Sequence, residues 1–233
     1  MRVLAVALVF ALAGCVTAPA PQAVELSPGV AWVVAEDGWA DEAEAVFAEA
    51  TVYVQAIAAQ QTGSGWAVVL DLDETVLNNV QYQVSRERIS APYTPESWYA
   101  WTQQARATLV PGAAEFLKAV YAAGGHAAFV TNRNDKEQLA TENNLAALGV
   151  RRGVDFHVLL TRTYPTARGE KDERFALVPA MLAAQGFPDV EVVAFVGDNV
   201  GDKPAEPGDW QFFCIDQGAM YGAPCAAVPG PGR

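Results

Sequence analysis

Five short apolar runs punctuate the chain, and each closes on or beside a polar residue: 67–71, 127–131, 156–161, 192–198 and 211–215. Unbroken apolar runs of this length predict strands buried on both faces, as in a parallel sheet. Between them, apolar positions recur three or four residues apart. The stretch 113–123 follows Pro111 and stops at Gly124-Gly125, 136–148 stops at Gly149, and 173–185 stops at Gly186. These predict helices with glycine ends. Upstream, Trp39, Ala43, Val46, Phe47, Val54 and Ile57 predict one long helix over 38–61, ended by Thr62-Gly63-Ser64-Gly65. Strand and helix alternate, so the expected fold class is α/β, a doubly wound parallel sheet. One connection is too long for a simple crossover. Residues 80–109, with Tyr82, Tyr93, Trp98, Tyr99 and Trp101, read as a small, mostly helical cap inserted after the first strand. The Pro/Gly-rich stretch 223–233 reads as a loose tail.

The N-terminus breaks the pattern. Arg2 precedes an unbroken apolar run over 3–13, too short to span a bilayer and suited to a signal-peptide core. It ends in Leu12-Ala13-Gly14-Cys15, which resembles the bacterial lipobox. The expected organisation is a signal peptide over 1–14, a lipidated Cys15 with an extended tether over 15–37, and a domain over 38–233. A plain secretory leader stays open as the alternative. By resemblance to bacterial lipoproteins, Val16 after the cysteine directs the protein to the outer membrane.

Composition narrows the function. A net charge of −12 and a pI near 4.5 argue against a nucleic-acid polymer as partner, because phosphate backbones are gripped by excess Lys and Arg. At 52% hydrophobic and 18% charged residues, the chain is not disordered. Three cysteines make no disulfide scaffold, and whether Cys214 and Cys225 pair stays open. Two histidines, His126 and His157, are too few for a histidine-rich metal site and read as structural.

The chemistry sits where the apolar runs end. Asp71 and Asp73 close the first run, where ligands bind in such sheets. Two carboxylates one residue apart do not both ionise freely unless a cation lies between them or one holds a proton. The first suits a nucleophile and the second an acid/base. Thr131-Asn132-Arg133 closes the second run, Lys171 precedes a helix, and Asp198 and Asp202 follow the fourth run. All converge on one rim of a parallel sheet. Oxygen-rich sites of this kind suit Mg²⁺.

In these residues the chain resembles the haloacid dehalogenase (HAD) superfamily of aspartate-nucleophile phosphatases, with a HAD-like, Rossmann-type core. Within it the chain is similar to the class C acid phosphatases, the lipoprotein e family of 5'-nucleotidases. The first signature of that family stands as Val69-Leu70-Asp71-Leu72-Asp73-Glu74-Thr75-Val76-Leu77-Asn78-Asn79-Val80-Gln81-Tyr82. The second is nearly intact around Gly197-Asp198, with Ala194 and Val200 where the family prefers other aliphatic residues. Val110-Pro111-Gly112 and Ala219-Met220-Tyr221-Gly222 also fit, and the resemblance spans roughly 30–222. It implies that Asp71 attacks phosphorus and that Asp73 protonates the leaving group and then activates water. It implies Mg²⁺ held by Asp71, the Asp73 carbonyl and Asp198, with Asp202 direct or one shell out. Thr131, Asn132 and Lys171 would bind the phosphoryl group, and Arg133 would either join them or pair with a carboxylate. Tyr82, Trp98, Trp101 and Tyr221 would stack a nucleobase or aryl ring. The implied substrate is a small phosphomonoester, and the oligomeric state stays open. A surface-anchored nucleotide-binding lipoprotein without turnover is the rival reading, disfavoured because no catalytic position is lost.

Overall fold

The structure is a computed structural model and describes residues 25–35, 38–60, 65–162, 170–218, 220 and 225. The leader, Cys15, most of the tether, Tyr221 and most of the expected tail lie outside the described residues.

Two helices lead in, α1 (Pro28–Val34) and α2 (Trp39–Gln60). The central strand β1 (Trp66–Leu70) follows, then the two-residue β2 (Leu77–Asn78). The inserted segment holds α3 (Val80–Arg88), α4 (Pro95–Thr102) and β3 (Thr108–Leu109), which returns to pair antiparallel with β2. The core then resumes with α5 (Ala113–Ala122), β4 (His126–Asn134), α6 (Gln138–Ala147), β5 (Val158–Arg162), α7 (Asp172–Ala183), β6 (Glu191–Gly197) and β7 (Gln211–Cys214). The five-stranded sheet has the order β5-β4-β1-β6-β7, and its pairs are all parallel.

The apolar runs are unbroken because the sheet is covered twice. Val68 and Leu70 of β1 belong to a core with Phe47 and Val54 of α2 and Phe116 and Leu117 of α5. Ala67 and Val69 face the other way, into a core with Phe175, Val178 and Leu182 of α7. Every residue of β1 is buried. Fully burying side chains of the Val, Leu or Phe kind contributes about 1.5–3 kcal/mol each, so neither face tolerates a polar residue here.

The α/β parallel-sheet class is as expected, with differences at the ends of elements. The tether reading of 15–37 runs too far, because Pro28 starts a helix and Val30 and Val33 are buried. The third strand begins at Val158 rather than at residue 156. A tight turn ties the Gly153 N–H to the Phe156 carbonyl, and the Phe156 ring packs on Phe129 at 4.7 Å instead of entering the ladder. The helix expected from residue 136 opens with a 3-10 turn, Asp135–Glu137, capped by Asn134. Pro95 and a Thr94–Ser97 capping box start α4. Among the described residues no helix is long and apolar enough to cross a membrane.

Candidate active site

The chain leaves β1 at Asp71 and turns back within a few residues. Thr75, Val76 and Leu77 all donate backbone N–H bonds to the Leu72 carbonyl. Glu74 takes a left-handed φ of 60° inside this loop, an uncommon conformation for a residue with a Cβ. Its Oε1 accepts the Asn79 N–H at 2.6 Å, which holds the loop closed. The Glu74 carboxyl is raised well above its ordinary range by burial, then by the Asp73 charge.

Asp71 is 8% exposed and lines a cavity of about 1180 Å³ at the carboxyl ends of the strands. Lys171, at the start of α7, donates its ammonium to Asp71 Oδ1 and to Asp202 Oδ1, the latter at 2.7 Å. Burial alone would favour neutral Lys171, but the Asp202 and Asp71 carboxylates outweigh it and hold the amine above its ordinary value. Asp71 is pushed up to about 7, mainly by burial. Lys171 pulls it down, while Asp202 and Asp73 push it further up.

Asp202 has both oxygens engaged. Oδ2 accepts the backbone N–H of Asp198 at 3.2 Å and of Asn199 at 3.0 Å. This close approach requires glycine at 197, because a Cβ there would overlap the Asp202 side chain. Asp202 therefore anchors Lys171 and the loop after β6. Asn199 orders the same loop, accepting the Gly201 N–H at 3.0 Å.

Asp71, Asp198 and Asp202 bring carboxylate oxygens within 4.8 Å of one another. Asp198 is buried, and its Oδ2 has no hydrogen-bond partner. Its carboxyl is raised well above the ordinary range by burial, then by Asp202 and Asp71. An unpaired buried carboxylate oxygen beside two further carboxylates is a costly arrangement that a hard cation relieves. The donor set therefore fits a divalent metal. The Asp73 side chain lies outside this cluster and pairs instead with Arg133, Nη2 to Oδ1 at 2.7 Å. Of the two roles open to Arg133, the geometry places it on a carboxylate, although it also lines the cavity.

The other expected contacts divide. Asn132 and Trp98 line the cavity. Thr131 is fully buried and accepts the Arg133 N–H on its hydroxyl at 3.1 Å. Tyr82 and Trp101, expected against a ring of the substrate, are 2% and 8% exposed and belong to the core. The Tyr82 hydroxyl bonds to Ser97 at 2.7 Å, and Trp101 Nε1 donates to Asn79 at 2.9 Å. Tyr93, Tyr99 and Arg162 line the cavity in addition. The two tyrosines had no distinguishing signal, since an aromatic-rich cap does not say which rings face out, and Arg162 is one arginine at the end of β5. Arg174 was also missed. It donates to the Thr131 carbonyl and, at 2.7 Å, to Asn132 Oδ1, so it props the carboxyl end of β4. The open pairing is settled too: Cys214 and Cys225 form a disulfide, with Cα atoms 5.6 Å apart.

Comparison with known proteins adds two findings. The family described as HAD superfamily, subfamily IIIB (acid phosphatase), matches residues 20–222. The fold is similar to the class C acid phosphatase from Bacillus anthracis, with 25% identity, a TM-score of 0.69 and coverage of 83% of this chain and 84% of that one. The same Bacillus anthracis enzyme with tungstate bound gives 23% identity and a TM-score of 0.67 over the same shares.

Proposed function

Since the chain belongs to the subfamily IIIB acid phosphatases of the HAD superfamily and is a phosphomonoester hydrolase, we propose how it works and on what. The reaction runs through an aspartyl-phosphate on Asp71, with Mg²⁺ as cofactor and nucleoside 5'-monophosphates as the preferred substrates. The observation that carries this reading is Asp71 itself, a buried carboxylate held by Lys171 on the wall of the cavity.

A carboxylate attacks phosphorus only when ionised. Burial works against that, and Lys171 works for it. In the first step Asp71 forms the new P–O bond while the ester P–O bond breaks. The departing oxygen takes a proton from Asp73. In the second step water attacks phosphorus and gives its proton to Asp73, while the bond from phosphorus to the Asp71 oxygen breaks and returns Asp71 as a carboxylate, with inorganic phosphate released. Asp71, Asp198 and the Asp73 carbonyl would hold the metal, with Asp202 beside them. When bound, Mg²⁺ would neutralise phosphate charge. Lys171 and Asn132 bind the phosphoryl oxygens in this reading. Arg133 keeps the acid in place, and buried Thr131 supports the end of β4 that carries Asn132.

Trp98, Tyr93 and Tyr99 on the cavity wall support a substrate with a flat ring, at about 1–3 kcal/mol per stacked base. The lipobox at Cys15 supports anchoring to the outer membrane, and the Cys214–Cys225 bridge supports an oxidising compartment.

Phosphate release should require Mg²⁺, stop with EDTA, and fall by at least about 1,000-fold in Asp71→Asn. Turnover by Asp71→Asn near the wild-type rate would sink the aspartyl-phosphate. A panel of nucleoside monophosphates against p-nitrophenyl phosphate tests the substrate reading, and equal kcat/KM for all would remove base recognition. Labelling with a radioactive fatty acid in bacteria should mark the protein and fail in Cys15→Ala.

A further inference from the structure

The Asp73 carboxylate is gripped by two side chains. Arg133 Nε donates to Oδ1 at 2.9 Å and to Oδ2 at 3.2 Å, and its Nη2 donates to Oδ1 at 2.7 Å. Asn79 Nδ2 donates to the same Oδ1 at 2.9 Å and to the Leu77 carbonyl at 3.0 Å. The other end of the Asn79 amide accepts twice, from Trp101 Nε1 at 2.9 Å and from Arg133 Nη2 at 3.2 Å. Asn79 is fully buried and makes all four hydrogen bonds that a side-chain amide can make. Turned over, its NH2 group would meet two N–H donors and its oxygen would meet a carboxylate. Trp101 and Arg133 therefore decide which end of Asn79 faces Asp73.

These holders connect the cap to the acid. Trp101 lies on α4, whereas Asp73 lies in the loop after β1 and Asn79 just before α3. The Arg133 guanidinium lies over the ring of a second cap tryptophan, Trp98, 5.8 Å from its centroid. Thr102, also on α4, donates to Glu137 at 2.9 Å. Glu137 offers its carbonyl to Thr141, whose hydroxyl accepts from Arg133 Nη1 at 3.1 Å. The cap thus reaches Asp73 along more than one buried hydrogen-bonded path. Such networks, when satisfied throughout, hold one geometry.

We propose that Asn79 is a positioning residue for Asp73, oriented by the Trp101 indole, so that the cap sets the position of the proton donor as well as covering the substrate. The proposal rests on the reading of Asp73 as the acid of the first step. There the electron pair of the breaking P–O bond goes to the leaving oxygen, which takes the proton of Asp73. The help matters in proportion to the basicity of that oxygen. Phenolate needs the proton, whereas p-nitrophenolate leaves well without it. The two esters fill the cavity with nearly the same ring, so their comparison isolates proton delivery from binding.

The experiment measures kcat/KM for phenyl phosphate and p-nitrophenyl phosphate with Mg²⁺ present. This constant reports the step that releases the phenol. Trp101→Phe keeps an aromatic ring at the site and removes the N–H together with the pyrrole half of the indole. It should lower the phenyl phosphate value about 10-fold and the p-nitrophenyl phosphate value no more than about 2-fold, whereas Asp73→Asn should widen the gap to about 100-fold. Equal losses on both esters, or no loss, in Trp101→Phe overturn the proposal. A failure of Asp73→Asn to discriminate overturns the acid role itself, which is a separate result. Thermal unfolding monitors the fold of each variant. Should Trp101→Phe not fold, Asn79→Ser carries the same comparison with the same two outcomes.

Discussion

Lys171 is surrounded by carboxylates and almost no water, with only 3% of its surface exposed. Its charge is balanced by Asp71 on one side and Asp202 on the other. Removing one member of a buried ion pair leaves the others uncompensated, which costs about 3–5 kcal/mol. Lys171→Met should therefore lose stability of that order by denaturant unfolding. It should also lose at least about 100-fold in kcat, because a preorganised charge at the phosphoryl group disappears. A variant with wild-type kcat would show that Lys171 is structural only. At this scale much of the site was legible: Asp71, Asp73, Asp198, Asp202 and Lys171 stand at strand ends or a helix start, where chemistry gathers. The partners were not legible. That Asp202 engages both oxygens within the protein follows from the missing Cβ of Gly197, and only the fold brings the two together.

Two elements meet at the other end of the sheet and pack a pair of rings together. His126 opens β4, His157 precedes β5, and their rings are 4.8 Å apart. Phe187, in the loop after α7, packs on both at 4.2 and 4.9 Å. Burial lowers both imidazoles below the ordinary 6.5, and His157 lowers His126 further. The folded protein thus binds protons at this pair less readily than the unfolded chain. By linkage the pair stabilises the fold above about pH 6.5, and that contribution is lost as pH falls below it. His126→Phe removes one titration and keeps an aromatic ring. Between pH 7.5 and pH 5 the stability of wild type relative to that of His126→Phe should fall, as read from denaturant midpoints. Parallel changes in the two proteins would refute the assignment. The sequence places these histidines beside or within apolar runs, where a structural role is expected. It had no means to pair them, since 31 residues separate the two.

Over the whole molecule, the acidic centre has the opposite pH dependence. The Asp71 carboxyl is raised to about 7 from an ordinary 3.8, and Asp198 and Glu74 are raised as well. A carboxyl raised on folding contributes stability that is present in full below its unfolded pKa and is lost as pH rises through the folded one. The metal-free protein should therefore lose stability between about pH 4 and pH 7 from this site. A divalent cation favours the ionised carboxylates and binds only the folded site, so it should restore what is lost. The rise in Tm on adding Mg²⁺ should be small at pH 5 and larger at pH 8. An equal shift at both values would argue against metal binding at the Asp71–Asp198 pair.

Fold class and the place of the chemistry can be read from the chain alone, and the reason is local. Apolar runs such as 67–70 suit strands covered on both faces, their alternation with amphipathic helical stretches supplies the cover, and the polar residue that ends each run comes out at the sheet's carboxyl edge. Tertiary structure decided the rest. It sent Trp101 and Tyr82 into the core and left Trp98, Tyr93 and Tyr99 on the cavity. Helical spacing places residues on a face, but which face meets the sheet depends on how the β2–β3 ladder roots the cap. It also decided that Arg133 pairs with Asp73 and that Cys214 meets Cys225, because partners distant in sequence are chosen by packing rather than by pattern.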